Sequence, residues 1–172
     1  MNALVVFYSR TGTTRKAAQA IAEALRSAGA ESVESEEITE PRGRKGLLGF
    51  LGAGRDAALK RRTAINPIQA DLGSFDLVVI GTPIWAFTCA APVQTFCRQH
   101  GADARAVALF CTMGGSGDKK AFQTMEKLCE RAPVATLALI DRHVKQDDQQ
   151  NFLDRVTQFA QAIVQSGDPP LA

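Results

Sequence analysis

Residues 5–21 read Val-Val-Phe-Tyr-Ser-Arg-Thr-Gly-Thr-Thr-Arg-Lys-Ala-Ala-Gln-Ala-Ile. An apolar strand runs into a loop of hydroxyl residues, and the loop opens an amphipathic helix. The first backbone N–H groups of a helix have no intrahelical partner and the macrodipole is positive there, so this junction suits an anion. The hydroxyls of Ser9, Thr11, Thr13 and Thr14 can hydrogen-bond phosphate oxygens, and Gly12 lets the main chain come close. Two common nucleotide loops are excluded. No Lys follows a glycine at Walker A spacing, and the turn holds one glycine where a dinucleotide fingerprint needs three. A plain strand-to-helix turn with a hydroxyl cap is the simpler alternative.

The rest of the chain alternates strand and helix, which predicts an α/β domain with a parallel sheet covered on both faces. Ala3–Tyr8 reads as strand one and Thr13–Ala28 as helix one, with Ala17, Ala18, Ile21, Ala22, Leu25 and Ala28 on its apolar face. Ser32–Ile38 is polar enough for an edge strand. Asp76–Gly81 is the strongest central strand, Pro92 sits in the first turn of a helix ending at Gly101, and Ala106–Cys111 is the fourth strand. A helix from Asp118 to Arg131 turns Phe122, Met125 and Leu128 inward. Val134–Ile140 is strand five, and Gln149–Gln165 is the last helix, with Phe152, Val156, Phe159 and Ile163 inward. The 172 residues suit one doubly wound, five-stranded domain over 1–172. In the strand order 2-1-3-4-5 its ligand crevice lies at the carboxyl ends of strands one and three.

The segment 5–21 resembles the flavodoxin signature, whose fixed positions are met by Val5, Val6, Phe7, Ser9, Gly12, Thr14, Ala18 and Ile21. The resemblance implies a flavodoxin-like three-layer sandwich that binds FMN. It places the FMN phosphate in the loop Ser9, Arg10, Thr11, Gly12, Thr13 and Thr14. It assigns the isoalloxazine ring to the loop after strand three, with Pro83, Ile84, Trp85, Ala86 and Phe87, where Trp85 would stack on the flavin. It assigns the pyrimidine edge to the loop after strand four, with Thr112, Met113, Gly114, Gly115 and Gly117. Two departures stand out. That last loop has no aromatic to cover the second flavin face, the one Tyr of the chain being Tyr8. Ala86 takes the place where many carriers have a Gly that flips at positive φ, so the flip is expected to be weakened, and a one-electron-reduced flavin less stable. A response regulator would need an acid where this chain has Gly81-Thr82, and a low-molecular-weight phosphatase would need a Cys in residues 8–14, which hold none.

Charge is unevenly spread. Residues 41–66 carry seven basic side chains, Arg42, Arg44, Lys45, Arg55, Lys60, Arg61 and Arg62, against the single acid Asp56. This basic insertion before strand three also holds the apolar, glycine-spaced run Gly46-Leu47-Leu48-Gly49-Phe50-Leu51-Gly52. It reads as a long connection packed on the body, or as a contact for an acidic partner, an anionic membrane surface through residues 42–62, or a flap near the flavin. Nucleic acid is not expected, because the total charge is only +2 and no aromatics interleave the patch. No apolar run approaches the roughly 18 residues of a membrane span, and Met1-Asn2-Ala3 leads into a strand rather than a signal peptide. Cys89, Cys97, Cys111 and Cys129 form no Cys-x-x-Cys pair and read as reduced thiols of a cytoplasmic protein; with His100 and His143 they offer no metal-ligand spacing. No catalytic side chain is singled out. The expected function is FMN-dependent electron transfer, either as a shuttle to a redox partner protein or as a reductase moving electrons from NAD(P)H to a quinone-like acceptor. A flavin-free interaction module is the third reading.

Overall fold

The computed structural model describes residues 1–41, 63–145 and 149–166. Five parallel strands form the main sheet: β1 (Asn2–Phe7), β2 (Ser32–Glu37), β3 (Leu77–Trp85), β5 (Val107–Met113) and β6 (Thr136–Ile140), in spatial order β2-β1-β3-β5-β6. A two-residue strand, β4 (Thr88–Cys89), adds to β3 alone and antiparallel. The helices are α1 (Thr13–Ser27), α2 (Ala91–His100), α3 (Asp118–Cys129), α4 (Asp141–Lys145) and α5 (Gln149–Gln165). The order of the five long strands is the expected one, and β4 and the short α4 are additions to it.

Strand side chains alternate between two cores, as the two-residue pleat requires. Ala3, Val5 and Phe7 of β1 face a core shared with Ile21 and Leu25 of α1 and with Phe152, Val156, Phe159 and Ile163 of α5. Leu4 and Val6 face the opposite core, built with Val93 and Phe96 of α2 and Met125 of α3. A sheet with both faces covered explains why the central strands read as unbroken apolar runs. Gly81 is part of this fit: a Cβ there would stand 2.1 Å from the ring of Phe110, its partner in the β3–β5 register.

Several boundaries move. β3 continues four residues past Gly81, so Thr82, Pro83, Ile84 and Trp85 lie on a strand rather than in a loop. Thr82 and Pro83 still pair with β5, opposite Cys111 and Thr112, and Thr112 and Met113 are strand residues in turn. α3 buries Ala121, Met125 and Cys129, whereas Phe122 and Leu128 are only partly covered, a rotation of the expected apolar face. Val134 precedes β6 and is 44% exposed. Before β3, Leu72–Ser74 forms a single 3₁₀ turn whose first residue is preceded by Asp71, which accepts from Gly73 N–H. Most of the basic insertion, residues 42–62, lies outside the described residues.

Candidate functional site

Three segments meet at the carboxyl ends of β1, β3 and β5. The first is the turn from β1 into α1. Gly12 stands at φ 90 immediately before the helix and, as its N-cap residue, has no side chain to cap it. The left-handed φ favours a residue without Cβ, and a helix start without an N-cap side chain leaves the amides ahead of Arg15 for a ligand. Ser9 Oγ accepts the Arg15 N–H at 3.2 Å, which leaves its own proton to donate. Thr11 is exposed, while Ser9, Arg10 and Gly12 are half-buried and Thr13 and Thr14 are buried. The Thr14 hydroxyl is held inside, 2.8 Å from the hydroxyl of Thr112. Thr14 therefore braces the turn against β5, and the outward hydroxyls are those nearer Ser9 and Thr11. Arg15 turns away into a bidentate pair with Glu37, at 2.8 and 3.1 Å.

The second segment is the β3–β4 hairpin. Trp85 pairs with Thr88, so the chain reverses through Ala86 and Phe87 alone. Both stand in the left-handed region, at φ 48 and φ 62. Two successive positive φ values define the hairpin turn that Asn-Gly normally occupies. Ala86 thus holds a positive φ at the position where alanine is expected to disfavour one. The β3–β5 and β3–β4 ladders over-determine the turn and carry its strain. Thr82 helps: its hydroxyl accepts the Ala90 N–H at 3.0 Å and donates to the Pro83 carbonyl at 2.9 Å, tying the two hairpin arms. Trp85 is half-buried, edge-on to Tyr8 with ring centroids 5.6 Å apart, and the Arg10 guanidinium lies 5.9 Å from its ring centroid. Phe87 at the tip is 66% exposed.

The third segment is Gly114–Gly117, between β5 and α3. Gly114 and Gly115 are exposed and a Cβ on either would meet nothing within 4 Å. Gly117 is different. It stands at φ 113, and a Cβ there would come within 2.7 Å of Ile84 Cγ2 and 3.0 Å of Phe87 Cα. Its bare α-carbon is the notch into which the hairpin fits.

Three contacts therefore close the triangle: Thr14 to Thr112, Arg10 to Trp85, and Gly117 to Ile84 and Phe87. The expected residues come together, with two corrections of role. Met113 is buried and paired with Ile140, and the Thr112 hydroxyl is taken by Thr14, so these two serve the sheet rather than lining the crevice with free side chains. Sequence reading missed the pair Tyr8–Glu40, in which the phenol donates to Glu40 Oε2 at 2.8 Å. Burial, reinforced by the Glu40 carboxylate, pushes the Tyr8 phenol well above its ordinary range, so it stays a donor. Its signal was present: Tyr8 continues the apolar alternation of β1, and so had to turn inward with Leu4 and Val6.

A doubly wound sheet in the order β2-β1-β3-β5-β6, with a glycine-led helix start at its switch point, defines a flavodoxin-type α/β protein. The sequence model of the family described as Flavodoxin matches residues 55–156, and the chain belongs to that family. This match spans the hairpin and the glycine loop but begins after β1, so the turn at Ser9–Thr14 stands outside it. No curated protein matches the chain. Among solved structures, a flavoprotein from Lactobacillus acidophilus in complex with FMN is 22% identical, with 83% of this chain and 95% of that one covered and a TM-score of 0.67. A flavoprotein from Bacteroides uniformis is 24% identical over 84% of this chain and 96% of that one, with a TM-score of 0.66. Two-electron reduced flavodoxin from Megasphaera elsdenii is 19% identical over 95% of this chain and 98% of that one, with a TM-score of 0.60. At these identities the likeness concerns the fold.

Proposed function

We propose that this chain is an electron-transfer flavoprotein that holds one FMN in the crevice between the Ser9–Thr14 turn, the β3–β4 hairpin and the Gly114–Gly117 loop. The observation that carries the reading is the start of α1: a left-handed Gly12 that supplies no N-cap side chain, ringed by hydroxyls, at the switch point of the sheet. These features fit a phosphomonoester. The amides of the first helical turn and the hydroxyls of Ser9, Thr11 and Thr13 would hold it, with Thr14 bracing the turn through Thr112. Trp85 would offer its ring to the isoalloxazine, and the open backbone at Gly114 and Gly115 leaves room for the polar edge of the ring. FMN supplies the redox chemistry when bound; the chain supplies position, polarity and access.

One observation favours a reductase over a pure shuttle. The glycine loop presents no aromatic cover, so the crevice stays open on that side to a second reactant. In that reading NAD(P)H is the electron donor and a quinone-like molecule or a redox partner protein is the acceptor. The basic residues between 42 and 62 would serve an acidic partner or an anionic membrane surface. No described helix is long and apolar enough to cross a membrane, and the four cysteines are free, which fits a cytoplasmic, reducing setting.

The test is binding of FMN against riboflavin to the purified protein, followed by anaerobic reduction with NAD(P)H alone. One FMN per chain, with riboflavin much weaker, is the expected result. Equal affinity for the two would remove the phosphate from the Ser9–Thr14 turn. Bleaching of the bound flavin by NAD(P)H favours the reductase; an unreactive flavin that a one-electron donor reduces favours the shuttle.

A further inference from the structure

The four cysteines are free and all are buried, but they are not alike. Cys111, within β5, and Cys89, on β4, are ordinary interior thiols. Burial pushes the first up to about 12 and the second up to about 11, so neither carries the reactive thiolate near neutral pH. Cys97 and Cys129 lie against each other instead. Cys97 is on α2, Cys129 is the last residue of α3, and both belong to the core between those helices and the sheet. A single buried Cys packs as a small apolar side chain and needs no further role. Two in sulfur contact make a dithiol.

Their meeting is built by the backbone. Gly101 N–H donates to the Cys97 carbonyl, which sets Gly101 one turn beyond Cys97 on the same side of the chain. Cys129 rests on that glycine: a Cβ at Gly101 would stand 2.6 Å from Cys129 Cα and 2.8 Å from its Sγ. A side chain there would push the end of α3 away from the end of α2. Arg131, just past α3, ties the same junction by donating to the carbonyls of Ala102 at 3.4 Å and Arg105 at 3.2 Å. The two sulfurs are thereby held in hydrogen-bond contact, with the Cys97 thiol as donor and Cys129 as acceptor. Against the effect of burial, that bond favours the thiolate of Cys129, and the Arg131 guanidinium adds to it. The same bond, together with burial, keeps the proton on Cys97. Glu130, Arg131 and Ala132 are exposed, so the pair lies one layer below the surface, beside a helix end.

We propose that Cys97 and Cys129 are an oxidisable dithiol, a modification site that hydrogen peroxide converts into a disulfide joining the ends of α2 and α3. The Cys129 thiolate attacks a peroxide oxygen and the O–O bond breaks. Cys129 becomes a sulfenic acid, and the hydroxide that leaves takes up, as water, the proton Cys129 had given up. The Cys97 sulfur then bonds to Cys129, its proton goes to the departing sulfenic oxygen, and a second water is released. Two thiols and one hydrogen peroxide become one disulfide and two waters, with two electrons passing from sulfur to oxygen. No flavin takes part, so the proposal stands apart from the FMN reading.

The test treats the full chain, as purified and fully reduced, with hydrogen peroxide, then unfolds it in an alkylating agent and maps its peptides by mass. The expected product has two of the four thiols alkylated, Cys89 and Cys111, and a Cys97–Cys129 link that dithiothreitol reverses. Chain unfolded in urea before oxidation should give mixed links, because the fold is what selects the pair. In Cys97→Ser, whose hydroxyl can still donate to Cys129, dimedone should trap a sulfenic acid on Cys129. In Cys129→Ser, labelling of Cys97 should be about tenfold lower, since the thiolate is the nucleophile. Four alkylated thiols in the folded parent would overturn the proposal, as would links through Cys89 or Cys111, or sulfinic acids on Cys97 and Cys129 with no link between them. These outcomes are read from the parent alone, so a variant that fails to fold does not blunt them. Equal dimedone labelling of the two variants would overturn the assignment of Cys129 as the attacking thiol.

Discussion

The turn into α1 and the β3–β4 hairpin both face the crevice, yet they are built by opposite means. At the first, the left-handed position is filled by Gly12, a Cβ there would meet nothing within 4 Å, and the helix behind it begins in register with its apolar face. Local preference and tertiary structure agree. At the second, the left-handed positions are filled by Ala86 and Phe87, and the hairpin is pressed into a notch at Gly117. Local preference is overruled by sheet pairing on either side. The comparison teaches where each region's specificity resides: in the backbone of the turn, and in the side chains of the hairpin.

The sharpest way to break that contrast is to put a charge at the backbone site. Thr11 is exposed, so Thr11→Glu should leave the fold intact. A carboxylate about 4 Å from a phosphate is worth on the order of 4 kcal/mol of repulsion near a surface, and FMN affinity should fall at least a hundredfold while riboflavin binding is unchanged. Isothermal titration of both ligands measures it; FMN binding that survives would place the phosphate elsewhere. Thr14 is the poorer choice for such a test, because it is 2% exposed and its hydroxyl is engaged by Thr112, so a Glu there would damage the fold as well.

A second comparison separates two glycines of one loop. Gly117→Ala sets a Cβ 2.7 Å from Ile84 Cγ2 at a φ of 113, and should cost roughly 1–3 kcal/mol. Gly115→Ala meets nothing and should stay within about 0.5 kcal/mol of the parent. Denaturant midpoints decide the matter. If the two variants unfold alike, the hairpin does not lean on Gly117.

The strain itself has a smaller signature. Ala86→Gly relieves a left-handed alanine and should stabilise the protein by about 1 kcal/mol, seen as a rise in thermal midpoint. A fall would mean the turn is not strained at that residue.

The smallest effect links the two regions. Arg10 of the turn lies over Trp85 of the hairpin, and a double-mutant cycle of Arg10→Gln with Trp85→Phe should give a coupling of about 0.5–1 kcal/mol. Trp85 is the chain's one tryptophan, so its fluorescence should shift in Arg10→Gln and be quenched by bound FMN in the parent. A coupling of zero would separate the turn from the hairpin.

How much of this was legible follows the same division. The α1 face, Ala17 to Leu25, and the inward residues of α5, Phe152 to Ile163, were readable because helical periodicity and burial coincide there. The extent of β3 was not. Pro83 reads as a loop marker because it cannot donate to a ladder. Yet Thr82 and Pro83 are held in register by β5, and the hydroxyl of Thr82 secures the returning arm at Ala90. β4 was invisible for a related reason: Ala-Phe carries no turn signal, and two residues make no pattern.

The sequence by itself determined the alternation of strands and helices and the glycine-led turn from β1 into α1 at Ser9–Thr14. Those follow from periodicity, chain connectivity and the conformational freedom of one glycine, all of which are local. Tertiary structure alone decided that Thr14 and Met113 turn inward, that Ala86 and Phe87 adopt a conformation their own chemistry disfavours, and that Gly117 is the seat of the hairpin. The physical reason is that these outcomes depend on atoms brought together from β1, β3, β5 and α3, and pairing and packing across those elements outweigh the preferences of any short stretch of chain.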